Sequence, residues 1–353
     1  NARRVDHDIR AGRDLVGADP VVRLGVHAGS GLQDLQQRRP QILGSGTADD
    51  RDMRCAGQRQ LHADRTRRAA CAALFACILA LPPSALAGPI RAKSAILYDL
   101  DRRVVLYEQN ADARVPPASL TKILSMYLVF DAVEDGRVSL RDNVKVSRRA
   151  ALEGGSRMGL RPGDKLTLER LLYGMAVASG NDASCAVAEH VYGSQAAFVK
   201  KMNVIGKKLG MDDSTFKTPH GLPARGQYTT ARDMLSLARN YIARFPKALR
   251  YHSARTVTIH NRTCENKNPQ LGRYKGADGL KTGWTTASGY NIITTARRGK
   301  TRLIAVLLGA PSAQVRAREI DRLMNGGFAL RNGKTKTVAS YLGVTRTTRY
   351  ASR

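Results

Sequence analysis

Strand-like alternation at the two ends of one long segment, with helical periodicity between them, most narrows what this chain can fold into. From Ala92, "AKSAILYDLDRRVVLYEQN" alternates apolar and polar residues around a polar turn near Asp101 and Arg102, which predicts a hairpin of two short strands. Strand patterns return only after residue 250, in "RTVTIHN", "GYNIITTARR" and "TRLIAVLLGA", the last followed by a proline and a charged helical stretch, "QVRAREIDRLMNGGFAL". Between them, "SLTKILSMYLVFDAVEDG", "LTLERLLYGMAVAS" and "SQAAFVKKMNVIGKKLG" carry apolar residues at helical spacing and are bounded by Gly136, Pro162-Gly163 and Gly210. Strands at both ends of a helical middle require a sheet closed by distant parts of the chain, so the predicted class is α+β. No internal repeat is present.

The first 87 residues are of a different kind. They contain 13 Arg and 9 Asp but neither Lys nor Glu, so most of the formal charge of +29 belongs to the rest of the 353-residue chain. Residues 65–88, "RTRRAACAALFACILALPPSALAG", run from basic residues through an apolar stretch (Ala69 to Leu81) to Ala85-Leu86-Ala87, the three-part pattern of a secretory signal peptide. The apolar stretch is shorter than the roughly 20 residues a spanning helix needs. Residues 1–52 show no useful periodicity and are expected to be an upstream extension, with translation starting at Met53 and a signal peptide over 53–87. Residues 88–330 then form the working domain, and 331–353 a basic C-terminal tail.

A strongly basic body points to an anionic partner, such as wall or membrane-surface material outside the cell. No zinc-finger spacing, RNP-type aromatic motif or long run of like charge supports nucleic acid. Cys55, Cys71 and Cys77 precede the predicted mature chain. Of the two that remain, Cys185 lies in the apolar "SCAVAEHV" and reads as a buried small hydrophobe, with pairing to Cys264 left open.

Chemistry is concentrated in three short motifs. Ser119 and Lys122 lie one helical turn apart in "PASLTKIL". "ASGND" places Ser179 and Asn181 at the end of an apolar helical segment, and "DGLKTGWT" places Lys281, Thr282, Gly283 and Trp284 just before the strand at Gly289. Ser-x-x-Lys alone is weak, and Ser214 with Lys217 repeats it. That second copy follows the Ser-Gly-Asn element and sits in a polar, turn-rich segment, so it fails on order and context. The ordered set Ser119, Ser179, Lys281 is the one used by class A β-lactamases and penicillin-binding proteins.

With "RVPPASLTKILSMYL", "VASGNDAS", "TPHGL", "TTARDM" and "DGLKTGWTTASGYN", the chain from about Ala92 to Leu330 resembles the D-alanyl-D-alanine carboxypeptidase family of low-molecular-mass penicillin-binding proteins. That resemblance implies the penicillin-binding protein and β-lactamase-like transpeptidase fold: an antiparallel sheet flanked by helices, a helical subdomain beside it and a cleft between. It implies a serine-type carboxypeptidase acting on peptidoglycan stem peptides, with β-lactams as covalent inhibitors and with no metal or cofactor.

A serine hydroxyl needs a neighbouring base, and an amine buried near a second cation gives up its proton readily. Lys122 is therefore the expected base for Ser119, with Lys281 as the second charge. Ser179 is placed to relay a proton to the leaving amine, and Asn181 to hold either Lys122 or the substrate's peptide carbonyl. The resemblance assigns the oxyanion hole to the backbone N–H groups of Ser119 and Trp284, and the terminal carboxylate to Thr282 and Arg316.

His220 and Asp182 are expected to be structural, and Arg232 with Asp233 an ion pair at a helix start. The Glu-x-x-Leu-Asn element that gives class A β-lactamases their deacylation base is absent between Asn181 and Lys281. A β-lactam-sensing or peptidoglycan-binding domain without turnover, and a DD-endopeptidase, remain open on sequence. N-terminal sequencing of the native mature protein should read from Gly88; a start near Asn1 would contradict both the cleavage and the upstream-extension readings.

Overall fold

The structure, a computed structural model, describes residues 87–344. The upstream extension, the signal peptide before Ala87 and the end of the basic tail lie outside the described residues. In chain order, the hairpin β1 (Ser94–Asp99) and β2 (Val104–Gln109) leads into helix α1 (Thr121–Glu134). A helical region follows: the short strands β3 (Asn143–Lys145) and β4 (Lys165–Thr167), the single turn α2 (Arg148–Ala151), and helices α3 (Leu168–Tyr173), α4 (Asn181–Tyr192), α5 (Gln195–Lys208), α6 (Ala231–Arg244) and α7 (Leu249–Ser253). The chain returns to β structure in a hairpin, β5 (Thr256–Ile259) and β6 (Arg262–Glu265), and three long strands, β7 (Ala277–Thr285), β8 (Gly289–Arg298) and β9 (Thr301–Ala310). It ends in α8 (Ala313–Arg331) and the short α9 (Val338–Tyr341).

The main sheet has the order β2-β1-β9-β8-β7 and is antiparallel throughout, so the N-terminal hairpin pairs with the last strand, as the sequence pattern requires. Strand β9 explains its own unbroken apolar run. Leu303, Ala305 and Leu307 pack on the α8 side with Ile320, Leu323 and Phe328, while Ile304, Val306 and Leu308 join the larger core that holds α1. A strand covered on both faces has no need of polar alternation. Helix α1 is enclosed in the same way: 11 of its 14 residues are buried, Lys122 and Ser125 among them, which is how a central helix reads.

Three local expectations change. "RTVTIHN" forms a separate two-stranded hairpin and not part of the main sheet. The Lys-Thr-Gly motif, expected only next to a strand, lies within edge strand β7, whose Gly279 and Gly283 hide its β character. "LTLERLLYGMAVAS" breaks after α3 into a π-helical turn, Gly174–Ala178. The boundary at residue 330 also cuts the last turn of α8, and beyond it Val338 and Leu342 are buried, so the described part of the tail is docked.

Three charged residues expected to be structural are so, in different ways. Asp182, in the first turn of α4, is buried and accepts the backbone N–H groups of Met158, Gly159 and Leu160 at 2.9, 2.9 and 3.1 Å, pinning the loop after α2. Arg232 and Asp233 do not pair, because adjacent helical residues point apart. Arg232 bonds Asp112 at 2.7 Å and Glu108 at 3.0 Å, while Asp233 accepts from Ser214 Oγ at 2.6 Å, which commits the second Ser-x-x-Lys serine to structure.

Removing the Asp182 carboxylate strands two buried donors, Met158 N and Leu160 N, and the half-buried Gly159 N, each buried one worth about 1–3 kcal/mol when unsatisfied. Asp182→Ala should therefore lower the unfolding free energy by at least about 2 kcal/mol in urea denaturation; an unchanged midpoint would contradict this role.

Candidate active site

Ser119 sits in a 3-10 turn, Ala118–Leu120, that leads straight into α1. The turn is forced close to two other segments. A Cβ at Gly283 would come within 3.0 Å of Ser119 N, and one at Gly221 within 1.8 Å of the Ala118 carbonyl oxygen. Glycine at these two points lets β7 and the 220–223 segment close on the serine from opposite sides. Gly221 also has φ +92°, a region other residues avoid.

Lys122, one turn on, is fully buried. Its Nζ lies 3.0 Å from Ser119 Oγ, 2.7 Å from Asn181 Oδ1 and 2.9 Å from the carbonyl oxygen of His220. Burial, reinforced by the charge of Lys281, drives its amine well below the usual lysine range. In its neutral form the amine has two N–H donors and one lone pair. Asn181 Oδ1 and the His220 carbonyl can only accept, so they take both protons and leave the lone pair facing the one partner able to donate, the Ser119 hydroxyl.

The choice left open for Asn181 resolves locally: its Oδ1 holds Lys122, and its Nδ2 donates to the Gly154 carbonyl at 2.7 Å. Ser179 ends the π-helical turn in the left-handed region, φ 60° and ψ 33°, a conformation costing an L-residue about 1–2 kcal/mol. It is buried.

Lys281, 2% exposed, is pushed down to about 7 by burial and by the charges of Lys267 and Arg316. Its Nζ donates to the Thr282 carbonyl at 3.1 Å. Arg316 lies in the first turn of α8, where the helix dipole disfavours a cation. Its guanidinium carbon stands 5.8 Å from the Tyr290 ring centroid, burial holds it below the usual guanidinium range, and its Nε is buried without a partner. Tyr290 pairs with Trp284 across β7 and β8. Thr282 Oγ1 reaches only the Lys267 carbonyl, at 3.5 Å. These cations with unsatisfied donors describe a place for an anion.

His220 is not a triad base. Its Nδ1 accepts from Leu222 N at 3.2 Å, burial and Lys122 hold the ring down to about 3, and what reaches Lys122 is its backbone carbonyl. The cleft above Ser119 measures about 1060 Å³ and is lined by Asn181, Leu222, Lys267 and Trp284, with the β6 residues Arg262 to Glu265 on one wall. Sequence reasoning missed Lys267, whose Nζ donates to Ser156 Oγ at 2.8 Å; "ENKNPQ" has no periodicity or spacing that marks it. Cys185 and Cys264 are free thiols, so the pairing option closes.

A serine hydrogen-bonded to a buried lysine, held between an antiparallel sheet and a helical layer, defines the class of active-site serine acyl-transfer proteins that includes the penicillin-binding proteins. The chain belongs to the D-alanyl-D-alanine carboxypeptidase family, whose model matches residues 82–312. It is 40% identical over 246 residues to the D-alanyl-D-alanine carboxypeptidase DacC of Escherichia coli, covering 68% of this chain and 62% of that protein. It spans about 62% of the length of the curated relatives that match it most strongly.

Among solved structures, penicillin binding protein 5 of Haemophilus influenzae aligns with a TM-score of 0.67 and 34% identity, covering 69% of this chain and 72% of that one. The ampicillin-bound form of penicillin-binding protein D2 of Listeria monocytogenes aligns at 0.63 and 34%, covering 68% of this chain and 98% of that one.

Gly221→Ala combines an unfavourable φ with a backbone clash and should destabilise the fold by about 2–5 kcal/mol. A thermal midpoint within a degree of wild type would mean the 220–223 segment does not press on the serine turn.

Proposed function

We propose that this protein is a serine D-alanyl-D-alanine carboxypeptidase that removes the terminal D-alanine from peptidoglycan stem peptides through an acyl-enzyme on Ser119. The observation that carries this reading is the three-partner arrangement of Lys122, which leaves its lone pair aimed at the Ser119 hydroxyl. Family membership, and the ampicillin and cefotaxime complexes of the Listeria relative, support it and support β-lactams as acylating inhibitors.

In this mechanism Ser119 Oγ attacks the penultimate carbonyl carbon as its proton passes to Lys122 Nζ. The developing oxyanion is received by the backbone N–H groups of Ser119 and Trp284, which Gly283 lets approach each other. The C–N bond then breaks, and the proton returns from Lys122, through Ser179, to the departing amine. Water attacks the ester in the second half-reaction and regenerates Ser119. Lys281, Thr282 and Arg316 bind the terminal carboxylate, answering the unsatisfied donors around them.

The site works outside the cytoplasmic membrane on this reading. The signal-like pattern of residues 65–88 supports export, and among the described residues no helix is long and apolar enough to cross a membrane. The basic body supports attachment to anionic wall or membrane-surface material.

Labelled penicillin followed by peptide mapping, beside D-alanine release from a pentapeptide, tests the proposal. Adduct on Ser119 with release is expected; adduct without release would favour a sensor. Lys122→Ala should abolish acylation while the protein stays folded. The pH profile follows from the two amines. Acylation requires neutral Lys122 and falls as acid protonates it; capture of the substrate carboxylate requires charged Lys281 and falls as pH rises through about 7. kcat/KM should therefore be bell-shaped, and a profile flat from pH 5 to 9 would refute these assignments.

A further inference from the structure

Behind the 220–223 segment, on the side away from the cleft, Glu153, Cys185 and His220 bring their ligating atoms within 4.8 Å of one another. The spacing suits a metal, but the hydrogen bonding does not. A metal on His220 Nε2 needs the ring proton on Nδ1, and Nδ1 already accepts from Leu222 N at 3.2 Å. The neutral ring therefore carries its proton on Nε2, which faces Glu153 Oε1 at 3.5 Å. The other carboxylate oxygen, Oε2, accepts from the buried Cys185 thiol at 3.5 Å. Burial and Glu153 raise that thiol far above its usual range, so it stays protonated and remains a donor.

We propose that Glu153 is a positioning residue for the general base. The proposal rests on the carboxypeptidase reading above. Glu153 is anchored by Cys185 and holds the His220 ring from one side, while the Leu222 N–H holds it from the other. A ring bonded at Nδ1 and faced by a carboxylate oxygen 3.5 Å from Nε2 fixes the peptide unit whose carbonyl accepts from Lys122 at 2.9 Å.

Without that acceptor, one N–H of the neutral amine has no fixed partner. The amine then rotates, and its lone pair leaves the Ser119 hydroxyl. Glu153 acts a second time through the chain itself, because the carbonyl of the next residue, Gly154, holds the Asn181 amide whose other end binds Lys122. Both acceptors that orient the base thus trace to one carboxylate and the residue beside it. Glu153 is not among the residues that line the cleft above Ser119, so its effect is on orientation.

The test is the rate of acylation of the full mature protein by a fluorescent penicillin, for wild type, Glu153→Ala and Glu153→Gln, with thermal midpoints recorded for each. Wild-type acylation on Ser119 checks the functional reading by itself; its absence would sink that reading and this proposal with it, whereas the variants test the proposal alone. Glu153→Ala should slow acylation by about 10-fold to 100-fold, the scale of a misplaced catalytic group. Glu153→Gln keeps an acceptor for the Nε2 proton and should recover most of that rate. Wild-type rates in Glu153→Ala would overturn the proposal. So would equal slowing in both variants, since a polar oxygen facing Nε2, and not its charge, is what the proposal requires.

Discussion

The burial of one amine organises this structure. An ammonium in a dry interior costs several kcal/mol unless it is paired, and no carboxylate bonds Lys122 here. The site accommodates the amine by disfavouring its charged form and supplying two acceptors. Those acceptors come from the start of α4 and from the 220–223 segment, so the helical region must be folded around α1 before the lysine is in place. The sheet contributes the second requirement, because Lys281 on β7 adds the field that makes protonation of Lys122 still less favourable.

The same logic explains the local strain. Ser179 is held left-handed at the end of a π-helical turn, and Gly221 occupies a φ few residues tolerate. Each lies beside a residue that holds the base: Asn181 follows Ser179 by two positions, and His220, whose carbonyl accepts from Lys122, precedes Gly221. Strain at such positions persists because surrounding contacts overdetermine it. Asp182 is one such contact: it fixes the 158–160 backbone, while the N–H of Asn181 bonds the Ser156 carbonyl, so the loop and the helix start are set together.

Much of this was legible in the sequence, for identifiable reasons. Alternation at Ala92 to Asn110 and the apolar run at Thr301 to Ala310 announced a sheet closed by chain ends, and Ser119, Lys122, Asn181 and Lys281 do converge. What was hidden had no periodic signal. β7 reads as a glycine-containing turn because its glycines serve close approaches, Gly283 to Ser119 and Gly279 to His252, and so dilute its strand character. The His220 carbonyl is backbone, which no residue pattern reveals. Lys267 and the β5–β6 wall depend on tertiary packing between segments more than 100 residues apart, such as Lys267 against Ser156. The Arg232–Asp233 pairing failed because nearness in sequence is not nearness on a helix surface.

The central claim is that the Lys122 side chain is an amine, and not an ammonium, in the resting protein. Nitrogen-15 NMR of the lysine Nζ groups, with Lys122→Met to assign the signal, measures this directly. The account predicts a Lys122 resonance at the neutral-amine position at pH 7 that moves to the ammonium position only in acid. A Lys122 signal already at the ammonium position at pH 7, titrating in the ordinary lysine range, would contradict it.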